Sequence, residues 1–245
     1  MRVVVSVGGS VLAPDLASSR VEAYADVVEE LVASRHELAV VVGGGGVARD
    51  YIGAARDLGA NEIELDQLGI SVTRLNARLL LAALDEGVAA PTVPEDYEEA
   101  GEALHHGDVA VMGGVTPAQT TDAVSAALAE YVDAALLVYA TSVPGVYAAD
   151  PETDPEAERY EELSARGLVD TVSKLEMNAG SSAPVDLLAT KVIQRAELKT
   201  YVLDGSTPEN VCDAVDDDEF EGTRVHPEDP DRWADTEPEP TPDDR

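Results

Sequence analysis

The chain has 245 residues, 44% of them hydrophobic, which is enough to fill a core without metal or disulfide staples. Its formal net charge is −33, from 49 acidic against 16 basic residues, and such a field repels nucleic acid and anionic membranes, arguing against both as partners. Cys212 is the single cysteine, so no disulfide framework, thiolate zinc cluster or thiol nucleophile is expected, which suits a reducing cytoplasm.

Arg2 to Val7 reads as a buried strand ending at Gly8-Gly9-Ser10. Those two glycines and the lack of a small-residue cleavage site set the stretch apart from a signal peptide. From Val21, apolar residues recur at Tyr24, Ala25, Val28, Leu31 and Val32, the spacing of a helix. Leu38 to Val42 is a second strand, followed by Gly43 to Gly46 and a helix from about Val47 to Leu58. A further helix covers about Asp66 to Leu84, with Leu68, Val72, Leu75, Leu79 and Leu80 on one side. Asp108 to Met112 is a strand ending at Gly113-Gly114, Thr120 to Tyr131 a helix, and Ala135 to Tyr139 a buried strand. The loop Thr141 to Asp150 leads into an acidic connector, Asp150 to Pro155. A helix from about Asp186 to Glu197 and a strand at Thr200 to Leu203 follow. Alternating strands and helices predict an α/β protein with a mostly parallel sheet. No run reaches the roughly 18 uncharged apolar residues of a membrane span. His226 to Arg245 holds five prolines and eight acids against two arginines, a composition expected to stay disordered.

Three glycine-rich turns therefore follow strands. At the carboxyl edge of a parallel sheet such turns let backbone N–H groups close on an anion, and three together point to a polyanionic ligand set, although glycines also serve plain tight turns. A Walker A loop requires Gly-Lys-Ser/Thr, and none of the three lysines, Lys174, Lys191 and Lys199, stands in that setting, so a P-loop kinase is excluded. Gly43 to Ala48 fits the dinucleotide pattern G-x-G-x-x-A, with Glu64 or Asp66 near the acidic position, but it follows the second strand and leaves the other two turns unexplained.

Gly8 to Leu12, Gly43 to Gly45 with Arg49, Asp66 to Asn76, Gly113 to Asp122, Thr141 to Pro151 and Asp186 to Lys191 resemble, in order, the motifs of the uridylate kinases, archaeal branch, of the amino acid kinase superfamily. The resemblance runs from about Arg2 to Pro227. It implies a three-layer α/β/α sandwich over residues 1–227, with a UMP-binding N-terminal part, an ATP-binding C-terminal part and an acidic disordered tail at 228–245. It implies transfer of the γ-phosphate of ATP to UMP, in pyrimidine nucleotide (CTP) biosynthesis, by a cytoplasmic homohexamer built as a trimer of dimers. ATP is carried onto Gly9, Ser10, Gly45, Arg49, Thr141, Tyr147 and Asp150. UMP is carried onto Gly44, Asp66 and Gly114-Val115-Thr116-Pro117-Ala118-Gln119-Thr120-Thr121. Asp66, Thr120 and Asp122 also fit plain helix caps, and Asp186 a helix start.

The acceptor phosphate is already anionic near neutral pH, so the reaction needs alignment and charge neutralisation rather than a general base. Lys191, Arg49, Asp122 and Asp186 are the expected catalytic residues, with Mg²⁺ held mainly through the nucleotide phosphates and no protein metal site. Many superfamily members carry a lysine on the first strand where this chain has Ser6, which makes Lys191 the candidate replacement. Arg74 and Asn76 match the archaeal pattern and are candidates for subunit contacts. The alternatives are another phosphotransferase of the superfamily, such as an isopentenyl phosphate or small-carboxylate kinase, and a non-catalytic nucleotide-binding storage or sensor protein. The acidic, lysine-poor surface resembles that of proteins from salt-loving organisms, where salt screens the self-repulsion.

Overall fold

The computed structural model describes residues 1–149, 151, 154, 156–176 (the backbone alone at 176) and 183–228. Seven strands, β1 (Arg2–Val7), β2 (Glu37–Val42), β3 (Ala110–Met112), β4 (Leu136–Thr141), β5 (Glu162–Ser164), β6 (Thr200–Asp204) and β7 (Gly222–His226), form one sheet in the order β3-β2-β1-β4-β6-β7-β5. β1 is flanked in parallel by β2 and β4. It is rich in β-branched residues and buried on both faces, the pattern of a central parallel strand. Among the described strands β6 and β7 form the one antiparallel pair, so β7 and its parallel partner β5 run against the other five. From β1 the chain steps outward through β2 to β3, then crosses to β4 on the other side. The carboxyl ends of β1 and β4 thus flank a topological switch point, where open α/β sheets bind ligands.

The helices are α1 (Gly9–Leu12), α2 (Ser18–Ala33), α3 (Gly45–Asp57), α4 (Glu62–Ala83), α5 (Tyr97–His106), α6 (Thr121–Tyr131), α7 (Ala165–Glu176), α8 (Leu187–Ala196) and α9 (Asn210–Cys212). Val3, Val5 and Val7 of β1 pack with α2, α9 and part of α4, whereas Val4 faces the core formed with α5, α6, α7 and α8. The alternation of β1 therefore builds two cores and the expected three layers. The sheet continues to His226, and Glu228 accepts a hydrogen bond from the Arg166 N–H at 2.8 Å. The expected tail lies outside the described residues from 229 onward.

The α4 face differs from expectation. Leu65, Val72, Ala77 and Leu80 are buried together with the polar Thr73 and Asn76, while Leu75 and Leu79 are 54% and 42% exposed. The helix is apolar on two sides, so periodicity alone finds Val72 and Leu80 of the buried face but adds the exposed Leu75 and Leu79. Its start also differs: Asn61 caps it through a box with Glu64, its side chain accepting the Glu64 N–H at 3.2 Å and its N–H donating to the Glu64 carboxylate at 2.8 Å. Asp66 is one turn inside the helix rather than its cap.

Candidate active site

The first two glycine turns meet backbone to backbone. The Gly8 N–H donates to the Ala140 carbonyl at 3.0 Å and the Gly43 N–H to the Val7 carbonyl at 2.9 Å, fixing both turns to the ends of β1 and β4. A Cβ on Gly9 would lie 2.3 Å from the Gly45 nitrogen and 2.4 Å from the Gly43 oxygen. Gly45 has φ +62, a left-handed conformation that favours glycine, and opens α3. The N-terminus of that thirteen-residue helix presents unpaired N–H groups to the same crevice.

A cleft of about 240 Å³ lies over these turns, lined by Ser6, Gly8, Gly9, Ser10, Gly43, Gly44, Gly45, Arg49, Thr121, Asp122, Tyr139, Thr141 and Pro184 among others. Arg49 is the one cation among the described residues that line it, and its guanidinium donates to the Ser10 hydroxyl at 3.2 Å. Ser6, 4% exposed, is on the cleft-facing side of β1, so the position where many superfamily members have a lysine does border this space.

Asp122, in the first turn of α6, lines the cleft, and Asp186, the N-cap of α8, is its acidic neighbour. Asp186 accepts the Ala189 N–H at 3.0 Å and a hydrogen bond from the Thr120 hydroxyl, which itself caps α6 by accepting the Ala123 N–H at 3.1 Å. The cap readings of Thr120 and Asp186 thus hold, and neither is among the residues lining the cleft, which Thr121, Asp122 and Pro184 border instead. Desolvation, and then the neighbouring Asp186 carboxylate, push the Asp122 carboxyl up to about 7, partly offset by a backbone hydrogen bond from Asp186. Beneath it, the Tyr139 hydroxyl donates to the Asp122 carbonyl at 2.8 Å, and burial pushes that phenol well above its ordinary range.

The third turn carries the segment Gly114 to Thr121 toward α4. The Gly114 N–H donates to the Thr73 hydroxyl at 2.7 Å, and the Ala118 N–H donates to the Asp66 carboxylate at 2.7 Å. Ala118 has φ +66, a left-handed conformation that costs a non-glycine residue roughly 1–2 kcal/mol. Thr116, Ala118, Gln119 and Thr120 are exposed, whereas Val115 and Pro117 are half-buried. The Tyr97 hydroxyl reaches the Gln119 side chain at 3.4 Å.

Beside the cleft, and sharing Thr141, Ser142 and Pro184 with it, is a smaller space of about 170 Å³ lined also by Val143, Tyr147, Pro151 and Leu175. Its apolar walls and half-buried Tyr147 suit a flat base. Asp150 lies outside the described residues. Lys191 stands on the exposed side of α8 and is not among the residues lining the cleft. Five helical positions turn it about 140° around the axis from Asp186. A larger groove, about 700 Å³, holds Arg2, His105 and Tyr131 at the opposite end of the sheet, away from all three glycine turns.

Asn76 and Thr73 are the site residues that local sequence patterns did not assign. The Asn76 amide donates to the Gly43 carbonyl at 2.8 Å and the Gly44 carbonyl at 3.3 Å, so it supports the second glycine turn from inside the fold instead of facing outward to another subunit. Its partners are 33 and 32 positions away, and no local signal announces such a contact.

Glycine turns at a sheet switch point, an arginine, a carboxylate pair and an adjoining base-sized pocket define a nucleotide-binding phosphotransferase built without a P-loop. The amino acid kinase family matches residues 1–204. Uridylate kinase from Haloarcula marismortui is 64% identical over 228 residues, covering 93% of this chain and all of its own length. Uridylate kinase from Halobacterium salinarum is 61% identical over 241 residues, 97% of this chain and all of its own. Among solved structures, uridylate kinase from Archaeoglobus fulgidus superposes with a TM-score of 0.83 at 46% identity, over 92% of this chain and 100% of that one. The chain belongs to the amino acid kinase family and, within it, to the uridylate kinases.

Proposed function

We propose that the chain transfers the γ-phosphate of ATP to UMP, giving ADP and UDP, and so serves pyrimidine nucleotide (CTP) synthesis. The observation that carries this reading is the joining, through one helix, α4, of the two backbone-packed glycine turns that line the cleft to the third turn beside them. In it, N–H groups of Gly9, Ser10 and Gly45 and the Arg49 guanidinium hold the donor phosphates. Thr141 and Tyr147 border the adenosine, with Asp150 as a further candidate. Gly44, Asp66 and the segment Gly114 to Thr121 take UMP, the exposed threonines and backbone groups facing the pyrimidine edge.

The acceptor phosphate is anionic near neutral pH, so no side chain has to remove a proton. The chain's work is to hold attacking and leaving oxygens in line and to offset the charge spread over the transferred group. Among the described residues no group of three or more His, Cys, Asp or Glu side chains can hold a metal ion. Mg²⁺ would enter on the nucleotide phosphates, where it would neutralise part of their charge, with Asp122 lining the cleft and Asp186 beside Asp122 as the nearby acidic groups. Lys191 is kept as a candidate cation for the transferred group: its long side chain sits on the helix that Asp186 caps, in a chain with three lysines.

The assembly put forward is a homohexamer, a trimer of dimers, in the cytoplasm at high salt. Leu58, Ile63, Leu75 and Leu79, exposed on and beside α4, support association, and among the described residues no helix is long and apolar enough to cross a membrane. A coupled ADP-release assay at high KCl with ATP, Mg²⁺ and each nucleoside monophosphate tests the reading. Fast turnover with UMP is expected. ATP binding without turnover on any monophosphate would instead support a storage or sensor role, and Ser6 is the residue that favours that outcome.

A further inference from the structure

Thr73 and Asn76 are two of the eight buried polar residues among the described residues, and they lie one helical turn apart on α4. Asn76 holds the carbonyls of Gly43 and Gly44. Thr73 is bonded to the third turn and lies close to the second. Its hydroxyl accepts the Gly114 N–H at 2.7 Å while donating to the Ile70 carbonyl at 2.7 Å, so its one proton and one of its two lone pairs are committed. Its methyl would lie 3.5 Å from a Cβ on Gly44, and its oxygen 2.6 Å from a Cβ on Gly113. No side chain fits between Thr73 and the third turn, and little space separates it from the second.

A buried polar group is retained only where its hydrogen bonds are made, and here the bonds run to two different glycine turns. We propose that Thr73 and Asn76 are positioning residues that fix the separation of the second and third glycine turns, and hence the register of the donor and acceptor phosphates. The proposal rests on the assignment of the second turn to the donor phosphates at Gly45 and to UMP at Gly44, and of the third turn to UMP. The 22-residue helix α4 is the rigid bar, anchored by its capping box, and the two side chains are its fixed pegs. A shift of about 1 Å between reacting groups can cost on the order of 100-fold in rate, so releasing either peg reaches the reaction without touching a substrate.

The test compares Thr73→Val, which keeps the shape and loses the hydroxyl, with Thr73→Ser, which keeps the hydroxyl. Wild type is run alongside at high KCl. Thr73→Val should raise KM for UMP about tenfold and lower kcat on the order of 10- to 100-fold, with KM for ATP within about twofold; Thr73→Ser should restore most of both. Asn76→Ser should raise KM for both substrates, because the turn it holds takes UMP at Gly44 and the donor phosphates at Gly45. Thermal unfolding of each variant separates this from a loss of folded protein. Wild type inactive on UMP would sink the functional reading; wild type active with Thr73→Val showing unchanged constants, or with Thr73→Ser equally impaired, would sink the positioning role alone. If Thr73→Val does not fold, native-state hydrogen exchange on wild type decides. The Gly114 amide should be protected with and without UMP, and free exchange of that amide would overturn the proposal.

Discussion

Gly9 and Gly45 approach so closely that a Cβ on the first would stand 2.3 Å from the backbone nitrogen of the second, and a Cβ on the second 2.6 Å from the carbonyl carbon of the first. The contact is between main chains of two loops, so no flexible side chain can move aside. Gly9→Ala is expected to lower stability by about 1–3 kcal/mol, as overpacking does, and to abolish ATP binding by parting the turns. Gly53→Ala is the control. Nothing lies within 4 Å of its Cβ position in the middle of α3, and replacing a mid-helix glycine should stabilise by roughly 0.5–1 kcal/mol. Urea unfolding of both variants at high KCl, with ATP titration of each, checks the pair.

The Asn61 and Glu64 box fixes where α4 begins, four residues before Asp66. Asn61→Ala should cost about 1 kcal/mol. Because Asp66 is held separately by the Ala118 N–H, KM for UMP should change little. A large rise in KM for UMP with stability unchanged would mean that the cap positions Asp66 directly.

The glycine turns and the strands before them were legible because buried parallel strands are short β-branched runs and glycine punctuates them. Helix α7 was missed although Leu168, Val169, Val172 and Leu175 are buried at helical spacing, because the acidic connector before it masked its start. Helix α5 was missed because its buried residues, Ala100, Ala103 and Leu104, are mostly small. Its Asp96 N-cap and Gly107, at φ +87, were the available signals. Strand β7 alternates Thr223 and Val225 inward within a charged stretch, too short to stand out. The site divides the same way. Motif order pointed to the first two glycine turns, Arg49, Thr121 and Thr141, which line one cleft, whereas Asp66, Gly114 to Thr120 and Lys191 are not among its lining residues. The contacts of Thr73 and Asn76 with turns 32 to 41 positions away come only from the folded chain.

Tyr147 borders the apolar space beside the phosphate cleft with Val143, Leu175 and Pro184. Tyr147→Ala should raise KM for ATP about tenfold, roughly the 1.4 kcal/mol of an aromatic contact, and leave KM for UMP within about twofold. Tyr147→Phe should stay close to wild type. Equal losses on both substrates would mean that this space does not receive the base.

A net charge of −33 concentrates repulsion on the folded chain, and screening by salt relieves it most where the charges are exposed. The melting temperature should therefore climb steadily between 0.1 and 2 M KCl. A flat profile over that range would show that the acidic surface carries no such burden.

Asp122 gives a pH dependence whose sign is fixed by the direction of its shift. Its carboxyl rises from 3.8 to about 7 on folding, so between those values the folded chain keeps a proton that the unfolded chain has lost. Unfolding then releases a proton, and this group's contribution to stability falls as pH rises, at up to about 1.4 kcal/mol per pH unit, levelling off above pH 7. Asp122→Asn does not titrate. Its stability relative to wild type should therefore grow between pH 4.5 and pH 7.5 by at least about 1.4 kcal/mol, one unit of that slope. Denaturant unfolding at the two pH values in the same high KCl reads the difference directly, and other carboxylates cancel because both chains carry them. A difference that is constant with pH would mean that the Asp122 carboxyl is not raised, and that Asp186 and the surrounding protein do not crowd it as the geometry requires.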